Sequence, residues 1–121
     1  MTPFGERVRE LRRQRGATLS EMAKALALSP AYLSALEHGK RGRPTAGLVH
    51  QVCGYFGLYW DAAEELERLA RQSHPRVVVD TSGMPAAKTE LANLLAERVR
   101  ALPDATVAEV LALLKAGIKP G

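Results

Sequence analysis

The chain has 121 residues, 46% of them apolar and 25% charged, with a net charge of +4 and a sequence pI of about 9.6. That length holds one domain, or a small domain with an appendage, and that composition supports a packed core, so large multidomain enzymes and a disordered chain are both excluded. No stretch approaches the roughly 18 apolar residues of a membrane span, the opening MTPFGERVRE is charged where a signal peptide is apolar, and the single Cys53 makes neither an internal disulfide nor a cysteine-based zinc site. The expectation is a cytoplasmic protein with no membrane partner.

The charge is unevenly spread. Residues 1–43 hold nine Lys and Arg against four Glu, a net +5, whereas residues 44–74 hold two Arg against four acids and residues 75–121 hold six bases against five acids. One face of the molecule, and not its whole surface, is therefore expected to attract a polyanion.

In chain order, Phe4, Val8 and Leu11 lie four and three apart, a helical stripe that Gly16 closes. Thr18 with Glu21 spells a capping box, after which Met22, Ala23 and Leu26 continue the inward stripe of a short second helix. Ser29 followed by Pro30 is an N-cap and first-turn pair opening a third helix that runs to about His38, with Leu33 and Leu36 inward and Ala31, Ser34, Ala35 and His38 opposite. GKRGRP, residues 39–44, is a loop of turn formers bearing three positive charges. Leu48, Val49, Val52, Cys53 and Phe56 predict a fourth helix over about 45–55, ended by Gly57. A fifth carries Asp61, Glu64 and Glu65 in its first turn and Arg68 and Arg71 in its last, with Leu66 and Leu69 inward.

His74-Pro75 then breaks the pattern. Arg76, Val77, Val78, Val79, Asp80 and Thr81 form a β-branched run, which predicts one short strand. With no second strand in the chain, its ladder groups call for a partner, and another copy of the chain is the natural candidate. Pro85 opens a sixth helix with Leu91, Leu94, Leu95, Val99 and Leu102, and a capping box of Thr106 and Glu109 is expected to start a seventh.

Little here suggests catalysis. Phosphate-loop and dinucleotide-binding glycine motifs are missing, and the carboxylates are scattered over exposed helical faces. His38, His50 and His74 stand 12 and 24 residues apart, matching no ligand pair on a helical face, so neither a metal nor another cofactor is expected. Cys53 lies on an apolar stripe and reads as core, and Trp60 as a staple between the fourth and fifth helices. Tyr32 either meets a phosphate through its hydroxyl or packs under its helix.

Two short helices joined through Ala27-Leu28-Ser29, the second with a polar face, have the layout of a helix-turn-helix. Over residues 4–72 the chain resembles the lambda-repressor-like, Cro/cI-type regulators of the XRE family. The resemblance rests on VRELRRQRG, TLSEMAKAL, LSPAYLSALEHGKRGRP and LVHQVCGYFGL, with Thr18, Glu21, Ala23, Ser29, Leu33, Leu36, Glu37 and Gly39 at matching positions. It implies an all-α, five-helix DNA-binding domain over residues 1–74; the strand and two helices of residues 75–121 read as a dimerisation segment from the β-branched run and the apolar stripes alone, outside the resemblance. The resemblance also implies that the third helix enters the major groove of double-stranded DNA and that Arg12 pairs with Glu37 where the first helix crosses the third.

The chemistry of the residues agrees with that expectation. Thr18, Ser20 and Ser29 offer hydroxyls and helix N-terminal amides to phosphates, and Lys40, Arg41 and Arg43 extend a positive footprint. Where such regulators often carry long amides, this chain has Pro30, Ala31, Ser34 and Ala35, so bidentate base contacts fall to Lys40, Arg41, Arg43 or His38. The expected function is a non-enzymatic, sequence-specific regulator, a repressor acting as a homodimer on palindromic operators. The alternative is an antitoxin-like or adaptor protein whose C-terminal segment binds a partner protein while the helix-turn-helix controls its own operon.

Overall fold

The computed structural model describes residues 1–117 and is all-α, dividing into two compact units, Met1–Val77 and Val78–Gly121. The first unit contains α1 (Pro3–Arg15), α2 (Leu19–Ala25), α3 (Pro30–Glu37), α4 (Ala46–Phe56) and α5 (Trp60–Arg71). The second contains α6 (Ala86–Arg98), a 3-10 turn (Val99–Ala101) and α7 (Asp104–Ala116).

Six of the helix boundaries in the first unit have a clear local cause. Thr2, Thr18, Ser29 and Thr45 are extended N-caps whose hydroxyls accept a backbone N–H three residues on, and the reciprocal bond from the Thr18 amide to the Glu21 carboxylate completes a capping box. Pro3 and Pro30 sit in first turns, where the missing N–H has no helical partner to lose. Gly16 and Gly57 end α1 and α4 in the left-handed conformation.

The inward stripes meet in one core of Phe4, Val8, Met22, Ala23, Leu33, Val49, Val52, Cys53, Leu66 and Ala70, to which all five helices contribute. Burying each larger side chain contributes about 1.5–3 kcal/mol, far more than the propensity of helices this short. Burial of Cys53 also pushes its thiol above the ordinary range, so it stays protonated and inert.

Four expectations need correction. Arg76–Thr81 is not a strand: among the described residues no strand forms, and Val77, Val78 and Val79 are exposed, Val78 at 93%. A β-branched run is only a propensity, and a strand needs a second segment to share its ladder, which the described residues do not provide. Instead, Asp80 Oδ1 accepts the Ser82 amide at 2.9 Å, and the Thr81 and Thr89 hydroxyls lie 2.7 Å apart. The second correction is that no Thr106–Glu109 capping box starts α7. That helix begins three residues earlier than such a box would start it, at Asp104 after Pro103, which leaves Thr106 inside its first turn. Third, Trp60 is 87% exposed, with φ +51°, and staples nothing. Last, α5 starts at Trp60, so only Asp61 occupies its first turn, and Glu64 and Glu65 lie further along.

Candidate nucleic-acid interface

The interface begins with the turn between α2 and α3, two helices that pack together. Ala27 takes φ +57° there, a left-handed conformation that costs an L-residue about 1–2 kcal/mol. The Leu28 amide bonds to the Ala23 carbonyl at 2.8 Å and closes the turn.

α3 is fixed from behind. Leu33, Leu36 and Glu37 are buried, and Arg12 of α1 donates through both terminal nitrogens to the Glu37 carboxylate, with Arg12 8% and Glu37 2% exposed. The Glu37 carbonyl receives the Thr2 amide at 3.0 Å and the Thr2 hydroxyl at 3.1 Å. α1 approaches so closely that a Cβ on Gly5 would overlap that same carbonyl oxygen. The buried Ser73 accepts the Phe4 amide at 2.9 Å and donates to the Leu69 carbonyl at 2.6 Å, tying α5 to the start of α1.

The other side of α3 faces solvent. Pro30, Ala31, Tyr32 and His38 are exposed, and Ser34 and Ala35 half-buried. His38 Nδ1 lies 2.8 Å from the Ser34 carbonyl; since a carbonyl only accepts, that nitrogen carries the proton and Nε2 is left to meet a ligand. Thr18 and Ser29 each accept one amide hydrogen, at 3.0 and 3.1 Å, and keep an O–H to donate, while Ser20 is simply exposed.

The loop after α3 is pinned at both ends. Gly39 is buried with φ +77°, and a Cβ there would come within 2.8 Å of the Thr2 methyl; Pro44 is buried too. Between them the Lys40 amide bonds to the Ala35 carbonyl at 2.9 Å, and Lys40, Arg41 and Arg43 are exposed. The Arg41 guanidinium lies 5.4 Å from the centre of the Tyr32 ring.

The basic residues thus separate by task. Arg12 holds Glu37, Arg13 holds Glu10, and Arg15 lies 4.4 Å over the Tyr55 ring while donating to the Tyr55 carbonyl. Lys40, Arg41 and Arg43 form no ion pair among the described residues. Sequence reasoning missed Thr2 and Gly39 as the residues that seat α3 and its loop. Thr2-Pro3 carries the same cap signal as Ser29-Pro30, whereas nothing near Gly39 in sequence announces its neighbour. Among the described residues no group of three or more His, Cys, Asp and Glu side chains is placed to hold a metal ion, and no helix is long and apolar enough to cross a membrane.

Comparison with known proteins gives the same frame. A helix-turn-helix domain family matches residues 3–69. The chain is similar to the uncharacterized HTH-type transcriptional regulator RghRB of Bacillus subtilis (strain 168), 40% identical over 52 residues. That stretch is 43% of this chain and 37% of the relative, so the chain covers little more than a third of that protein. No solved structure matches.

Proposed function

We propose, from the premise that the chain belongs to the helix-turn-helix domain family, of XRE type, that it is a transcriptional regulator which binds double-stranded DNA through α3 and the loop after it. The observation that carries this reading is the two-sidedness of α3: its inner face is locked by burial and by Arg12 and Thr2, while its outer face adjoins three exposed cations with no ion-pair partner among the described residues. Lys40, Arg41 and Arg43 contact phosphates or base edges, and Thr18, Ser20, Ser29 and Tyr32 offer hydroxyls to the backbone. Pro30, Ala31, Ser34 and Ala35 give the shallow surface that lets α3 sit close in the groove, and a thymine methyl suits such side chains. The relative's name, a transcriptional regulator, supports the same reading.

The test is duplex binding against salt concentration. Each phosphate neutralised contributes a slope of about −0.9 to log Kobs against log salt, so a steep line is expected and a flat one overturns the reading.

Repression on a palindromic operator by a homodimer is the finer form of the proposal, with Arg76–Thr81 and the helices that follow as the contact. Large exposed side chains on α6 and α7, among them Leu91, Leu95, Leu111 and Leu114, support it, because bare apolar surface of this kind marks an association site. The same surface also favours the second reading, in which a different protein covers it. Sedimentation at micromolar concentration separates them: a dimer that becomes monomeric when the chain is ended at Val77 supports self-association, and a full-length monomer favours a foreign partner.

A further inference from the structure

We infer that Tyr32 is a positioning residue for Arg41, and that Arg41, held over the start of α3, is the guanine-reading residue of this chain. The inference rests on the DNA-binding reading above and names which side chain supplies specificity within it. The side chains on the outer face of α3 at Pro30, Ala31, Ser34 and Ala35 are too short to make bidentate contacts with a base edge. A long donor is needed, and it has to arrive beside the helix. Arg41 is in the loop after α3, yet its guanidinium lies 5.4 Å from the ring centre of Tyr32, which stands in the first turn of α3. The arginine has therefore turned back along the helix instead of reaching away from it.

Three backbone features hold the segments that carry the two side chains in place. The Tyr32 amide is capped by the Ser29 hydroxyl at 3.1 Å, which fixes the start of the helix that carries the ring. The loop that carries Arg41 is anchored by buried Gly39 on one side and buried Pro44 on the other. Gly42, at φ +75°, lets the chain reverse immediately after Arg41. A guanidinium held within cation–π distance of a ring keeps its planar fork of N–H donors, the geometry that matches guanine O6 and N7, and it surrenders less rotational freedom on binding than a free arginine would. His38 is fixed in a similar way by the Ser34 carbonyl, but it presents a single nitrogen and cannot form the two-pronged contact.

The experiment uses the full chain and a duplex selected by it from a random-sequence pool, together with versions of that duplex in which each G·C pair of the half-site is replaced in turn. Arg41→Lys and Tyr32→Leu are both expected to lose about tenfold or more of the preference for guanine at one shared position. Tyr32→Phe is expected to keep that preference, whatever overall affinity it loses with the hydroxyl. In the free protein, the Arg41 δ-proton signals should shift when Tyr32 becomes Leu and stay when it becomes Phe, a readout that needs no DNA. Where Tyr32→Leu does not fold, Arg41→Lys and Tyr32→Phe still decide. The inference is overturned if Arg41→Ala weakens all duplexes equally, which would mean a phosphate contact only, or if Tyr32→Leu retains the guanine preference. A wild-type chain that selects no duplex and shows no salt dependence instead removes the DNA-binding reading itself, and this inference with it.

Discussion

Residues 1–77 and 78–117 are both helical and both rich in leucine, valine and alanine, yet they use those side chains in opposite ways. In the first unit they converge from five helices on one core; in the second none of the described residues is buried, and α6 and α7 carry Leu91, Leu95, Leu111, Leu113 and Leu114 on exposed surface. Apolar periodicity says which side chains want to leave water. It does not say what they leave it for. Five short helices can enclose a shared interior, whereas two 13-residue helices have too little surface facing each other to enclose one. The first unit is therefore expected to own its stability, and the second to depend on what covers it.

The strongest test of that contrast is Arg12→Ala, which strands the buried Glu37 carboxylate and should cost about 3–5 kcal/mol in urea unfolding. Arg13→Ala, which removes only an exposed contact to Glu10, should leave the midpoint in place, and equal losses for the two would break the assignment of Arg12 to the core. Leu33→Ala should cost about 2–5 kcal/mol at any protein concentration, because its cavity lies inside one chain. Leu114→Ala should instead show a loss that depends on concentration, as expected of a side chain buried only on association; a loss independent of concentration would give the second unit a core of its own.

A smaller effect separates the two capping boxes that the sequence spells. Thr18→Ala should cost about 1 kcal/mol in thermal unfolding, since it removes the acceptor for the Glu21 amide, whereas Thr106→Ala should cost no cap at all. The smallest effect lies at Asp80. Hydrogen bonds from Ser82 hold its carboxyl below the ordinary value, so the turn is favoured above the carboxylate range and loosens as pH falls through the lowered value. An amide titration of Ser82 with a midpoint at or above the ordinary Asp value of about 3.9 would show that the bond does not form.

What was legible in the sequence was mostly local. Thr18, Ser29, Gly16 and Gly57 could be placed because a cap needs only its own neighbours, and the core stripes of α1 to α4 because the helical period is short. The Arg12–Glu37 contact spans 25 residues and was expected only through the family resemblance. Of the four readings that failed, three show the physical reason most directly. Val77–Val79 has strand propensity with no ladder, Pro103-Asp104 opens α7 before Thr106 can cap it, and the backbone at Trp60 turns the ring outward. Ser73 carried no signal at all, because its partner Phe4 lies 69 residues away. Within the candidate interface the residue types were readable and their support was not: Lys40, Arg41 and Arg43 stand out in any charge count, but the anchoring of their loop by Gly39 against Thr2 exists only once the chain has folded.

The two bonds from Thr2 to the Glu37 carbonyl also set a clock for α3. An eight-residue helix on its own is mostly unwound in water, and its amides would trade hydrogen for deuterium almost as fast as an open chain. Here the last turn is held by Thr2, the adjoining carboxylate by Arg12 and the inner face by Leu33 and Leu36, so α3 has no way to open without dislodging α1. Its core-side amides should exchange only when the whole five-helix unit opens, at the rate of the most protected amides in α1 and α4, which makes this eight-residue, half-exposed helix as long-lived as the core behind it.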